Sequence, residues 1–179
     1  MKTLIIATIL LQLGIYNPVA NESAVVNCGK ARFTVLTDRM IRMEWSENGR
    51  FEDEATLAVV NRNLPVPQFK VDDSKRKIVI KTQKVVLEYV KNSKFSKDNL
   101  SVSFSMYSGG KHTKKVVWHP GDVDRGNLLG TLRTLDKCGS KQDILEKEGG
   151  PCNGLISKDG WVVIDESSRH LIKRDDSDW

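Results

Sequence analysis

Apolar and polar residues alternate with a period of two along much of the chain. The clearest case runs from Leu100 to Met106, where every second residue is apolar and the residues between them are serines. Because successive side chains of a β-strand point to opposite faces, this segment is expected to have one buried and one exposed face. Residues on the expected buried faces of this and similar segments are Phe33, Val35, Ile41, Met43, Val102, Phe104 and Met106. The segments around Ile80 and Leu87 alternate in the same way, and none shows a convincing helical period.

Turn-forming residues separate these alternating segments. Asn48-Gly49 is a strong hairpin signal because both residues tolerate positive φ. Ser108-Gly109-Gly110 follows the strand that begins at Leu100, and Lys158-Asp159-Gly160 separates the segments 154–157 and 161–164. Many short strands joined by such turns predict an all-β fold, a two-sheet antiparallel β-sandwich with almost no helix after Ala20.

The segment from His119 to Cys152 does not follow the strand pattern, because it is long and rich in Gly, Asp and Lys. Long ordered loops in compact domains are usually functional or covalently held. We predict a disulfide between Cys138 and Cys152, which would close a loop of about 15 residues and contribute roughly 3 kcal/mol. We favour this pair over any pair with Cys28, which is expected to be free or paired with another part of a longer chain.

The N-terminus combines a basic start with a short apolar run. Lys2 precedes a run from Leu4 to Ile15, which is about 12 residues and too short to span a bilayer as a helix. We interpret residues 1–20 as a secretory signal peptide cut after Ala20, although Pro18 occupies the −3 position where a small residue is usual. The alternative is a buried N-terminal helix or strand. Export predicts a secreted or lumenal domain over residues 24–179, without a membrane span once the signal is removed.

If the protein is exported, two glycosylation acceptor triplets in its sequence could be modified. These begin at Asn21 and Asn99, each followed two residues later by serine. Such triplets are frequent by chance, so each is weak evidence by itself.

Charge and composition disfavour nucleic-acid binding. The formal net charge is +5, and the basic groups at 74–77 and 111–115 have no interleaved aromatic residues. They are typical of solvated turns between strands.

Metal and nucleophile motifs are missing from the sequence. His112, His119 and His170 lack ligand spacing, and there is neither a CxxC motif nor a GxSxG elbow. We therefore predict no metal, no cofactor and no catalytic residue in this chain. Aspartates suitable for glycoside hydrolysis are present, but aspartate is also a common turn residue, and turn roles are the simpler interpretation of Asp122, Asp124, Asp136, Asp159 and Asp165.

Three longer stretches resemble the N-terminal domain of family 31 glycoside hydrolases. They are ARFTVLTDRMIRMEWSENGRFEDEATLAVVNRNLPVP, WHPGDVDRGNLLGTLRTLD and NGLISKDGWVVIDES, in the same order as in that family. The resemblance implies a galactose-mutarotase-like β-sandwich that precedes a (β/α)₈ barrel acting on α-glycosides. In that family the two catalytic aspartates lie on the barrel. The resemblance therefore implies that a chain ending at Trp179 stops before them and is inactive alone.

The resemblance also suggests a substrate-rim loop. Residues 127–132 are similar to an Asn-x-Tyr-Gly-Leu-Gly stretch of the family, with Leu129 and Leu132 in place of the aromatic residue and the second glycine. Asn127, Arg133 and Asp136 are the candidate rim residues, although Arg133 and Asp136 could instead form an ion pair within the loop.

Two other classes of function stay open. One is a stand-alone secreted sugar-binding module that stacks a sugar on Trp118, Trp161 or Tyr107. The other is a purely structural or interaction domain.

Overall fold

A computed structural model describes residues 16–56, 58–108, 112–129, 153–167 and 171–172. The apolar run of the proposed signal peptide, up to residue 15, lies outside these ranges. Within them the chain forms ten strands and one short 3₁₀ turn at Glu22–Ala24, and no α-helix. The strands are β1 (Val25–Cys28), β2 (Ala31–Val35), β3 (Ile41–Trp45), β4 (Ala55–Thr56), β5 (Phe69–Asp73), β6 (Lys77–Thr82), β7 (Val85–Val90), β8 (Leu100–Ser108), β9 (His112–Trp118) and β10 (Leu171–Ile172).

Strands β1, β2 and β3 form a three-stranded antiparallel sheet in that order. Phe33 lies opposite Val26 on one side and Met43 on the other. Gly29, with φ of +61°, is in the tight turn between β1 and β2, where a left-handed backbone is needed.

Strands β5 to β9 form a five-stranded antiparallel sheet in sequence order. Leu87 at its centre lies opposite Ile80 and Val102, and Tyr89 lies opposite Ile78 and Leu100. These apolar residues share one face because residues directly opposite in antiparallel strands point to the same side. β4 pairs separately with β10.

The two larger sheets face each other through aromatic contacts. The ring of Phe33 lies 5.6 Å from that of Tyr89 and 5.7 Å from that of Phe95, and Tyr89 and Phe95 meet edge to face at 5.2 Å. Such tilted pairs are favoured over face-to-face stacks. The fully buried side chains of this core include Phe33, Val35, Ile78, Ile80, Leu87, Tyr89 and Leu100. The predicted all-β antiparallel sandwich is thus confirmed.

The predicted core is only partly right. Phe33 and Val35 are completely buried. The other five residues expected inside are half-buried, namely Ile41, Met43, Val102, Phe104 and Met106. β3 is an edge strand of its sheet, and a three-stranded sheet cannot cover the whole inner face of a five-stranded one.

The polar face of β2 is also buried, contrary to the simple alternation. Arg32 is 9% exposed, with Nε 2.8 Å from Glu44 and Nη1 2.8 Å from Asp53. The ring of Phe51 lies 4.9 Å from its guanidinium carbon. Burial acts to lower the pKa of Arg32, but the hydrogen bond and charge of Glu44, with those of Asp53, outweigh burial and raise it. The carboxylates of Glu44 and Asp53 and the covering loop therefore allow the Arg32 charge to be buried, although the alternation predicted that this face of β2 is exposed to solvent.

The hairpin expected at Asn48-Gly49 and the strands expected on either side of Lys158-Asp159-Gly160 are not observed. Gly49 does form a turn, with φ of +71° and its N–H bonded to the Ser46 carbonyl, but β3 pairs with β2, and β4 pairs with β10 instead. The segments 154–157 and 161–164 form no strands. In the described part of the chain, their β-type pairing is a single antiparallel bridge, from Ser157 to Asn127.

The chain divides into two compact units. The first comprises residues 1–121 with 171–179 and contains all ten strands. The second comprises residues 122–170, of which 122–129 and 153–167 are described.

Candidate functional site

Two loops that are about 30 residues apart meet in the second unit. Asn127 and Ser157 form an antiparallel bridge. Leu128 N donates to Ile156 O at 2.9 Å, and Lys158 N donates to Gly126 O at 2.9 Å. We call residues 124–129 and 154–159 the paired loops. They contain parts of the second and third stretches that resemble family 31 enzymes.

Asn127 holds the paired loops together with its carboxamide. Nδ2 donates to Asp124 Oδ2 at 2.8 Å and to Gly154 O at 3.1 Å. Oδ1 accepts from Leu129 N and Gly154 N, both at 2.8 Å. An amide side chain has two donor and two acceptor positions, so all four are filled by the protein. The prediction that Asn127 contacts substrate stays a prediction, and its observed contacts are structural.

Asp124, Ser157 and Asp159 form a second set of contacts across the loops. Ser157 Oγ donates to Asp124 Oδ1 at 2.5 Å and accepts from Asp159 N at 3.0 Å. Asp159 Oδ2 accepts from Gly126 N at 2.9 Å. Both carboxylates therefore fix loop geometry, as expected of aspartates in turns.

Gly126 is required by this close approach. A Cβ at this position would lie 2.7 Å from Asp159 N and 2.7 Å from Asp159 Oδ1. Real Cβ atoms are essentially never found so close to backbone, so only glycine fits without movement of the partner loop.

Apolar side chains around the paired loops are exposed to solvent. Leu155 is 68% exposed and Ile156 67%, which is unusual for two consecutive large apolar residues. Among the described residues of this unit, four more large apolar side chains are exposed, namely Val123, Leu128, Leu129 and Val163. The paired loops thus combine half-buried, hydrogen-bonded polar side chains with exposed apolar ones, an arrangement suited to contact with another surface.

The remaining candidate residues are placed as follows. Arg133, Asp136, Cys138 and Cys152 lie outside the described residues, as does the side chain of Tyr107. Trp118 is 9% exposed, so its ring face cannot serve as a stacking platform on the surface, whereas Trp161 is half-buried. The described ranges contain no group of three or more His, Cys, Asp or Glu side chains that could hold a metal ion.

The two glycosylation triplets differ in structure. Asn21 is exposed, and its Oδ1 accepts from Ser23 N at 2.9 Å. Asn99 Nδ2 instead donates to Ser93 Oγ and Lys94 O, both at 2.7 Å. The nitrogen that a glycan would modify is thus engaged at Asn99. Modification of either residue stays a prediction.

Sequence reasoning missed the hydrogen-bond network of the paired loops. The sequence pattern indicates Asp124 and Asp159 only as separate turn residues. The available signal was local, since Asp, Asn and Ser readily bond nearby backbone, but which loops meet is a long-range property.

Comparisons with known proteins add no identification. Neither the family models nor the curated proteins include a match to this chain. In the ranges that the structure describes, no helix has the length and apolar character needed to cross a bilayer.

Proposed function

We propose that this chain is the exported N-terminal sandwich domain of a family 31-like glycoside hydrolase, which works with a (β/α)₈ barrel on α-glycosides. The observation that carries the proposal is the meeting of the second and third family-like stretches at the paired loops. These stretches are separate in the sequence. Five hydrogen bonds between side chains and backbone, and two between side chains, connect or brace them. A loop built this firmly is suited to a fixed role beside a neighbouring domain.

The first family-like stretch is consistent with the same proposal. It begins with β2 and β3, an antiparallel pair whose register sets Phe33 opposite Met43. Phe33 then packs on Tyr89 of the larger sheet. The stretch thus supplies two of the three strands of the smaller sheet, in agreement with its resemblance to the first strands of the family's domain.

The exposed apolar residues of the paired loops favour a partner domain. Leaving Leu155 and Ile156 in water forgoes roughly 1.5–3 kcal/mol for each side chain that could be buried. Burial against a barrel would recover much of that free energy. In this arrangement the loops contribute to the wall of the sugar pocket, and the barrel supplies the carboxylates.

The roles of the two carboxylates in the paired loops support the proposal that the isolated chain has no glycosidase activity. Glycoside cleavage needs an acid and a nucleophile on opposite sides of the sugar. Asp124 and Asp159 are both used in holding the loops. We therefore expect no turnover of an aryl α-glucoside by the purified 179-residue chain, and weak sugar binding, because half a pocket buries too little ligand surface.

The test combines transcript sequencing with activity assays. Transcripts that continue past Trp179 should encode a (β/α)₈ barrel, and the longer protein should hydrolyse the aryl α-glucoside. In that protein Ile156→Asp should lower activity at least tenfold, whereas Val71→Asp, at an exposed residue of edge strand β5, should leave it within twofold. Hydrolysis by the short chain that survives repurification and is lost in Asp159→Asn would contradict the proposal.

A further inference from the structure

Residues 16–18 are part of the strand-bearing unit, although the sequence pattern assigns them to the end of a signal peptide. Asn17 forms a parallel bridge with Asn61. Asn17 N donates to Val60 O at 3.2 Å, and Arg62 N donates to Asn17 O at 2.7 Å. Both the N–H and the C=O of Asn17 are thus paired, as in a parallel strand, with residues more than 40 positions further along the chain.

Tyr16 extends the same segment to a second region. Its Oη donates to Ile172 O at 2.7 Å, and Ile172 pairs with Ala55 in the small β4–β10 sheet. The segment 16–18 therefore ties the chain near residue 60 to the strand near residue 172. We call it the N-terminal clamp.

Arg62 depends on the clamp most strongly. Its side chain is 2% exposed, and its guanidinium donates to Pro18 O at 3.3 Å and to Glu54 O at 2.9 Å, while Nε has no hydrogen-bond partner. Removing Pro18 would leave Glu54 O as the one carbonyl bonded to this buried cation in the described structure. A buried charge that loses a hydrogen-bond partner is strongly unfavourable.

We infer that the mature protein keeps the N-terminal clamp, so that any removal of a leader occurs before Tyr16 and not after Ala20. A cut after Ala20 would delete the Tyr16 hydroxyl, the Asn17 peptide and the Pro18 carbonyl together. The presence of Pro18 at the −3 position of that cut is a second, independent argument against it. The position of leader removal rests on export, which is part of the proposed function. Retention of the clamp does not depend on export.

The first experiment determines the N-terminus of the protein made from its full coding sequence, by intact mass and N-terminal sequencing of culture medium and cells. A mature chain starting at or before Tyr16 supports the inference. A chain starting at Met1 and found only in cells would also support retention of the clamp, while contradicting export. A mature chain starting at Asn21 would overturn the inference.

The second experiment measures the contribution of the clamp to folding. In the full chain, Tyr16→Phe should lower the melting temperature by about 2–4 °C, because it removes the bond to Ile172 O. The control is Val19→Ala, at a 57% exposed residue just beyond the clamp, which should shift it by less than about 1 °C. The amides of Asn17 and Arg62 should also exchange slowly with deuterium. No shift for Tyr16→Phe together with fast exchange at both amides would overturn the inference.

Discussion

The Cys28 thiol illustrates how burial sets the chemistry of one residue. Cys28 is 9% exposed and is a free thiol. Burial raises its pKa, the nearby Lys91 ammonium partly opposes this, and Asp73 adds to it. Because the thiolate is the reactive form, a raised pKa means less thiolate at pH 7–8 than in an exposed cysteine.

We therefore predict that Cys28 reacts slowly with iodoacetamide in the native protein. Labelling at pH 8 should be at least tenfold slower than in urea, and should keep rising as the pH increases above the ordinary cysteine range. Mass spectrometry of the Cys28 peptide reports it separately from Cys138 and Cys152. Equal rates with and without urea would show that the thiol is accessible in the native state.

Gly126 is the residue on which the paired loops depend most directly. Gly126→Ala places a methyl group against Asp159 and should break the Gly126 N to Asp159 bond. We expect faster deuterium exchange at the Leu128 and Lys158 amides, which bond across the loops. Val123→Ala is the matched control, since Val123 is 73% exposed in the same segment. Unchanged exchange in Gly126→Ala would mean that the loops can shift without cost.

At the scale of elements, two phenylalanines with the same sequence pattern differ in burial. Phe33 on central strand β2 is completely buried against Tyr89 and Phe95, whereas Phe104 on β8 is half-buried. Alternation identified the face of each strand correctly. It could not tell how far the opposing sheet extends, because that depends on the number of strands in each layer.

This difference predicts unequal costs for the same substitution. Phe33→Ala should lower the free energy of unfolding by about 3–5 kcal/mol, the range for a buried phenylalanine. Phe104→Ala should cost about 1–2 kcal/mol, since less apolar surface is lost from the interior. Urea denaturation of the two variants provides the comparison. Equal costs would show that β8 is covered as fully as β2.

At the scale of the whole molecule, the segment assigned to the second unit includes both cysteines of the predicted disulfide. Cys138 and Cys152 lie outside the described residues but within the segment 122–170 that forms this unit. A bond between them would shorten the covalent connection between the two paired loops, and so reduce the entropy lost when these loops meet.

We expect peptide mapping without reduction to recover Cys138 and Cys152 in one linked peptide, with Cys28 alkylated only after denaturation. Cys138→Ser should increase deuterium exchange at Leu128 relative to the parent protein. Cys28→Ser serves as the comparison, and it should leave exchange at Leu128 unchanged. Recovery of Cys28 in a disulfide with either residue would contradict the predicted pairing.

The sequence by itself determined that the segments of β2, β3, β6, β7 and β8 are strands, and which faces of β6 and β7 turn inward. It wrongly indicated strands at 154–157 and 161–164. That information is local, because a period of two in polarity fits a half-buried strand and little else. It is why Phe33, Leu87 and Leu100 could be assigned to strands from the sequence.

Only the tertiary structure decided which distant segments meet. The pairing of β4 with β10, the bond from Tyr16 to Ile172, and the contact of Asp124 with Ser157 join residues separated by tens to more than a hundred positions. The same is true of Arg32, whose burial depends on carboxylates brought to it by another strand and a covering loop. The pattern of polar and apolar residues does not identify such partners, because many segments of similar composition could form the same contacts. Packing of the whole chain decides which segment does so.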